Sequence, residues 1–334
     1  MLTARAKTCK IIYRTFCCEV LYSMIANASE HHPLAAAVRA QTGYPVYAAD
    51  EIPSTNTALR AYASEALARG TAPTPCVLIS RAQTAGRGRM GRSFSSEGGV
   101  GLYMSVLLTP ACAADGALLL TTAAAAAAAS AVDAVRTEPP MLRLMQDAGG
   151  TPLPGQAQIK WVNDIYLADR KVSGILTEAA LYPGSDRLSY AVVGIGINLL
   201  PPPGGYGADL LGIAGALFAR ARADAYVPDS ILGTLAGRIA EGVTRYFEMG
   251  DAGYTEVLEI YRCRSLLDGR AVLVRPASSL GGEEIPAVVC GIDDSFGLRV
   301  RYEDGTTAVL SSGEVVLCGG KDTLQSARAT VHLQ

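Results

Sequence analysis

The chain has 334 residues, 49% of them hydrophobic and 18% charged, with a formal net charge of -2; it is long enough for a main domain and a smaller companion, and too near neutrality to be drawn as a whole to nucleic acid or anionic lipid. Eight cysteines without a CxxC pair, and three histidines (His31, His32 and His332) confined to the two ends, argue against a disulfide framework, a histidine-based triad and a histidine-ligated zinc site. Reduced thiols point to the cytoplasm.

In chain order, Arg5, Lys7 and Lys10 precede a mildly apolar stretch, but Arg14 and Glu19 break it, so it is not read as a secretory signal. Met24 is an alternative start. A turn, Glu51-Ile-Pro-Ser54-Thr55-Asn56-Thr57, leads into the helical ALRAYASEALARG. Residues 76 to 83 and 99 to 108 read as strands, short, apolar and bounded by turn formers. Ala117 to Arg136 is rich in alanine, the best helix former, and reads as a helix buried against a sheet rather than a membrane span. Residues 137 to 157, with Pro139, Pro140, Gly149, Gly150, Pro152 and Pro154, read as an exposed insertion. Strands are expected at 158 to 167, 171 to 179 and 190 to 199, then a turn at 201 to 207. From Ser230 to Glu248, apolar residues recur at helical spacing. Beyond residue 264, short alternating segments separated by Gly, Asp or Ser point to a small β-barrel.

Four segments carry chemistry. Gln83-Thr-Ala-Gly86-Arg87-Gly88-Arg89-Met90-Gly91-Arg92 is a glycine-rich loop with three arginines. Glycine lets backbone amides approach an anion, and arginine holds carboxylate or phosphate oxygens in a two-point grip. It matches neither the Walker A loop nor the dinucleotide fingerprint, and a solvated basic loop or an RNA-contacting turn would look the same. Ile159-Lys160-Trp161-Val162-Asn163-Asp164 places a lysine in an apolar strand, costly unless an anion meets it; the commoner alternative is a lysine on a solvent-facing edge. In Val193-Gly194-Ile195-Gly196-Ile197-Asn198, strand alternation puts Gly194, Gly196 and Asn198 on one face. That bare face admits a flat ligand, or else close packing of the alanine-rich helix. Ser54, Thr55 and Asn56 serve either a polar ligand or a helix cap.

In this order and spacing the four segments closely resemble the biotin protein ligase family, which carries a Ser-Thr-Asn turn, a GRGRxGR loop, a KWPND strand and a GxGIN strand. The resemblance runs from about residue 46 to 318, including KVSGIL at 171 to 176 and Gly313-Glu314. It implies an α+β fold, a mixed β-sheet flanked by helices of the class II aminoacyl-tRNA synthetase and biotin synthetase kind, with a small C-terminal SH3-like β-barrel. The domains expected are an N-terminal extension (1 to 44) short of a winged helix and without operator binding, a catalytic domain (45 to 262), the barrel (263 to 320) and a tail (321 to 334). The implied substrates are ATP and biotin, with Mg²⁺ carried by the ATP phosphates rather than by dedicated ligands, and the partner is a biotin carboxyl carrier protein. No DNA or membrane partner is expected, and the chain is a monomer or homodimer.

By the same resemblance, Ser54, Thr55, Asn56, Gln83, Gly86, Arg87, Gly88, Arg89, Lys160, Gly194 and Gly196 surround biotin, with Lys160, Arg87 and Arg89 acting in catalysis. Arg89, Arg92, Phe94, Asn163, Asp164, Lys171 and Asn198 surround the nucleotide. Val162 stands where the family usually has proline, and Phe94 where some members have a tryptophan; an aromatic face is retained. Three other readings stay open: a lipoate or octanoate ligase, a nucleic-acid-binding module, and a ligase that binds biotin without turnover.

Overall fold

The computed structural model describes residues 28–39, 41–114, 116–275 and 284–317. The basic N-terminal stretch, Met24 and the expected tail at 321 to 334 lie outside them.

A seven-stranded sheet forms the body. Its strands are β1 (Val46–Ile52), β2 (Cys76–Gln83), β3 (Gly101–Leu108), β5 (Gln158–Lys160), β6 (Asp164–Leu167), β7 (Arg170–Leu181) and β8 (Leu188–Asn198), in the order β1-β2-β3-β8-β7-β6-β5. Only β1 and β2 run parallel. One face carries α1 (Pro33–Arg39), α3 (Gly116–Thr137), α5 (Asp229–Glu248) and α6 (Asp251–Cys263). The seven alanines from Ala123 to Ala129 are all buried, packing with Val193, Ile195 and Ile197 of β8. The apolar α3 is long enough to cross a membrane by composition, but here it is the centre of the core. The other face carries α2 (Thr55–Ala68), over a cluster of Tyr47, Leu59, Tyr62, Leu78 and Tyr190.

Two expected boundaries are corrected. The extension before residue 45 is not separate where it is described: Ser29 bridges Ala48, and α1 buries Leu34, Ala35 and Val38. The segment at 137 to 157 is not an open insertion. Pro139 and Pro140 begin a helix, α4 (Pro139–Asp147), where a missing N–H costs nothing. Then β4 (Gly150–Pro152) pairs with β9 (Phe218–Arg220), and Met145, Ala148 and Gly150 are buried. Amphipathic spacing in a short proline-led segment was masked by the punctuating residues around it.

The C-terminal part is a five-stranded antiparallel sheet of β10 (Ala271–Arg275), β11 (Ile285–Ile292), β12 (Leu298–Tyr302), β13 (Thr307–Leu310) and β14 (Glu314–Leu317), ordered β13-β12-β11-β10-β14. Among the described residues its two edge strands do not pair with each other. It is seated on the body by hydrogen bonds. The Trp161 indole N–H donates to the Phe296 carbonyl at 2.9 Å, and Arg262 Nε donates to the Ile292 carbonyl at 3.0 Å. Phe296 packs edge-on against Tyr254 and Tyr261.

Candidate active site

A cavity of about 890 Å³ opens on the α2 face of the main sheet, within the size range of small-ligand sites. Every site residue anticipated from the sequence except Gly86 lines it, and Gly86 sits in the loop that covers it.

At one end, α2 begins. Ser54 is its N-cap, its hydroxyl accepting from the Thr57 N–H at 3.4 Å, so the capping alternative holds for that residue. The Thr55 N–H donates to Gln83 Oε1 at 2.8 Å, and Gln83 Nε2 donates to Ser96 Oγ at 3.0 Å. Ser105 Oγ, fully buried in β3, stands 2.7 Å from Thr55 Oγ1 and 2.6 Å from Asn56 Oδ1. Asn56 Nδ2 donates to the Leu176 carbonyl at 3.1 Å and to Glu178 Oε2 at 3.0 Å. Both ends of the Asn56 amide are thus committed to protein, which makes it a strut between α2, β3 and β7.

The glycines of β8 do not leave a bare face. A Cβ on Gly194 would stand 2.1 Å from Asn56 Oδ1, and one on Gly196 would stand 2.5 Å from Phe94 Cε1. The freed space is filled by an amide and a ring from elsewhere in the chain. The alanine-rich helix packs on the opposite face, so the packing alternative is corrected, while both glycines line the cavity. Phe94 also meets the Tyr103 ring edge-on at 6.4 Å between centroids.

The arginine loop is a folded hairpin. Gly88 N–H donates to the Arg92 carbonyl at 2.7 Å and Phe94 N–H to the Gly86 carbonyl at 3.0 Å, with Met90 in the left-handed region (φ 55) at an exposed tip. Each arginine takes a different anchor. Arg87 Nη1 lies 3.1 Å from Glu178 Oε1, Arg89 Nη1 donates to Asn163 Oδ1 at 2.8 Å, and Arg92 Nη2 donates to Glu314 Oε1 at 2.5 Å. Burial opposes ionisation of Glu314, but its bonds to Arg92 and Arg275 outweigh that and hold its carboxyl below the usual carboxylate range.

Lys160 and Asp164 were expected in one continuous strand. The chain instead turns at Trp161-Val162-Asn163, so Lys160 and Asp164 become cross-strand partners in the β5–β6 hairpin. The short apolar run concealed the turn. Lys171 takes Asp164 as its ion-pair partner at 2.7 Å, while Lys160 has none among the described residues, its ammonium lying 5.9 Å from the Tyr166 ring centroid. Burial pushes the Lys160 ammonium down, with Lys171 and Arg92 adding to the effect and Asp164 and Glu314 partly offsetting it. Of the cavity's basic groups, Arg87, Arg92 and Lys171 have carboxylate partners; Lys160 and Arg89 have none among the described residues.

Sequence reasoning missed Glu178, Ser105, Ser96 and Tyr206. Glu178 had a signal: alternation along β7 places it on the face of Gly174 and Leu176, a lone acid in an apolar strand. Arg60 completes its cluster at 2.6 Å.

Residues 48–198 match the model of the biotin/lipoate A/B protein ligase family. The biotin--[acetyl-CoA-carboxylase] ligase of Mycobacterium tuberculosis is 29% identical over 248 residues, 72% of this chain and 78% of that protein. The match to this family's model spans 151 of the chain's 334 residues. The chain spans only 41% of the length of a second relative, the bifunctional ligase/repressor BirA of Bacillus subtilis, at 34% identity over 151 residues, 45% of this chain. A biotin protein ligase of Aquifex aeolicus, solved with biotin and ATP, shares the fold with a TM-score of 0.56 at 23% identity, covering 84% of this chain and 100% of that one.

Proposed function

We propose that this chain joins biotin to ATP as biotinyl-5'-AMP and passes the biotinyl group to a lysine of a biotin carboxyl carrier protein, such as that of acetyl-CoA carboxylase. The observation that carries the reading is the pair of cations without carboxylate partners among the described residues, Lys160 and Arg89, in a cavity whose other basic groups are already paired. Acid activation needs that surplus. The biotin carboxylate oxygen attacks the α-phosphorus, the bond to the β-phosphate oxygen breaks and pyrophosphate leaves; two anions meet, and fixed cations offset their repulsion. The carrier amine then attacks the acyl carbon, the bond to AMP breaks, and the nitrogen loses its proton.

In this assignment Lys160 bridges carboxylate and α-phosphate, and Arg87 and Arg89 close over the carboxylate end. Ser54, Thr55, Asn56, Gln83, Gly86, Gly88, Gly194 and Gly196 shape the biotin end. Arg92, Phe94, Asn163, Asp164, Lys171 and Asn198 form the nucleotide end. The described residues hold no group of three or more His, Cys, Asp or Glu side chains poised for a metal. Asp164 in the cavity wall, which pairs with Lys171, would help hold a magnesium ion carried by the nucleotide phosphates, and that ion would supply neutralisation of phosphate charge. We assign the C-terminal sheet to an SH3-like barrel, the protein to the cytoplasm, and the assembly to a monomer or homodimer. The relatives' names and the ligands of the Aquifex neighbour support the reading.

The test is acid-dependent exchange of pyrophosphate into ATP, run with biotin, lipoate and octanoate. Exchange with biotin alone is expected; exchange with lipoate or octanoate instead moves the protein to the other branch of the family, and none with any acid overturns catalysis.

A further inference from the structure

Ser105 of β3 is fully buried under the end of the cavity where α2 begins, and its hydroxyl touches two residues of the cavity wall, Thr55 and Asn56. Its single proton has two neighbours to choose between, Thr55 Oγ1 at 2.7 Å and Asn56 Oδ1 at 2.6 Å. The choice is forced from the far side of Asn56. The Leu176 carbonyl can only accept, so the Asn56 atom 3.1 Å from it is the amide nitrogen, and Oδ1, turned to Ser105, can only accept as well. Ser105 therefore donates to Asn56. The contact of 2.7 Å between the two hydroxyl oxygens still needs a proton, and Thr55 has to supply it. Gln83 Oε1, 3.2 Å from the Thr55 hydroxyl, already takes the Thr55 backbone N–H at 2.8 Å. The Thr55 hydroxyl is left with lone pairs alone to offer the cavity, as an acceptor of fixed direction. An acid lying against it gains by bringing an N–H or O–H donor; hydrocarbon in the same place leaves a buried acceptor unpaired.

We propose that Ser105 is a positioning residue for selection of the acid: by taking the Thr55 proton it fixes the polarity of this end of the cavity, which then favours acids whose ring end carries an N–H donor over plain acyl chains. The proposal rests on the reading of the cavity as a biotin site, since the ureido ring of biotin carries N–H groups and octanoate has none. Ser105 acts through Thr55 and not on the acid itself.

The test compares the full chain with Ser105→Ala, Thr55→Val and the double variant. Binding of biotin, octanoate and ATP is measured by equilibrium dialysis, and pyrophosphate exchange gives KM and kcat for biotin. Ser105→Ala frees the Thr55 hydroxyl to turn, so biotin is expected to bind about tenfold more weakly, the scale of one misdirected hydrogen bond, with ATP binding within about twofold of the parent and octanoate bound no more weakly than before. KM for biotin rises while kcat changes by less than about twofold. In the Thr55→Val background, with no hydroxyl left to direct, adding Ser105→Ala costs less than about threefold. An equal loss in both backgrounds overturns the proposal, and so does parental biotin affinity in Ser105→Ala. A loss of ATP binding that matches the loss of biotin binding also overturns it, marking a structural role. Because dialysis needs no turnover, a parent that binds biotin without exchanging pyrophosphate would sink the ligase reading and still decide Ser105, whereas a parent that prefers octanoate, or binds neither acid, overturns both.

Discussion

Asn56 Oδ1 occupies the place that a side chain at residue 194 would need, 2.1 Å from where its Cβ would be built. The amide cannot retreat, because its other end is bonded to the Leu176 carbonyl and Glu178. Gly194→Ala must therefore break one of these bonds or displace β8. Overpacking a tight site costs about 1–3 kcal/mol. If that loss falls on the ligand pocket, biotin binding weakens about 10-fold to 100-fold. Isothermal titration with biotin checks it, and a parental affinity would show the strut to be dispensable.

Lys160→Ala is expected to lower biotin-dependent pyrophosphate exchange by at least about 100-fold, the scale of one preorganised charge at a reacting centre. A rate within a few-fold of the parent would remove Lys160 from the mechanism. The role also has a pH signature. The ammonium is held below the ordinary lysine value of 10.5, chiefly by burial. Its charge is present below the folded-state pKa and lost as pH rises through it. The exchange rate should fall on the alkaline side at a pH lower than an exposed lysine would give, and Lys160→Arg should lack that limb, since a guanidinium keeps its proton.

Glu178 faces Arg87 from 91 residues away in sequence and also takes Asn56 and Arg60. Glu178→Gln keeps the shape and removes the charge that restrains Arg87. Leakage of free acyl-adenylate into solution is expected to rise, read as labelling of bystander lysines, and Arg87→Gly should do the same. A variant that retains its intermediate as the parent does would contradict the loop's role as a cover.

Arg92 and Glu314 join the arginine hairpin to the small sheet. Glu314→Gln should increase protease cleavage at the exposed Met90 tip by a few-fold. The sign with pH follows from the depressed carboxyl: the contact is complete above the ordinary carboxylate range and is lost only as pH falls through the lower folded value. An unchanged digestion rate at neutral pH would show that the hairpin holds itself.

Most of the body was legible because period and composition agree there. The ends of β2, the alanine helix and the long helix at 229 to 248 follow from runs whose pattern admits one partner face. The motif residues were also legible as a set, and the fold brings them to one cavity. What alternation alone could not tell was what would lie over the glycines: Phe94 and Asn56 reach Gly196 and Gly194 from loops and helices far away in sequence. Nor could the turn at 161 to 163 be read, since Trp161 and Val162 are strand formers whose side chains are buried by tertiary contacts. Glu178 was passed over because a single acid in a strand has no local signature of the arginines it will meet.

Trp161 follows Lys160 in the chain, and its indole is bonded to Phe296 in the turn before β12. The small sheet and the unpaired ammonium are therefore one peptide unit apart mechanically, although Phe296 lies 135 residues along the chain. Anything that leans on that sheet pushes on the ring and through it on the cation. The sheet is in this sense a handle on the site.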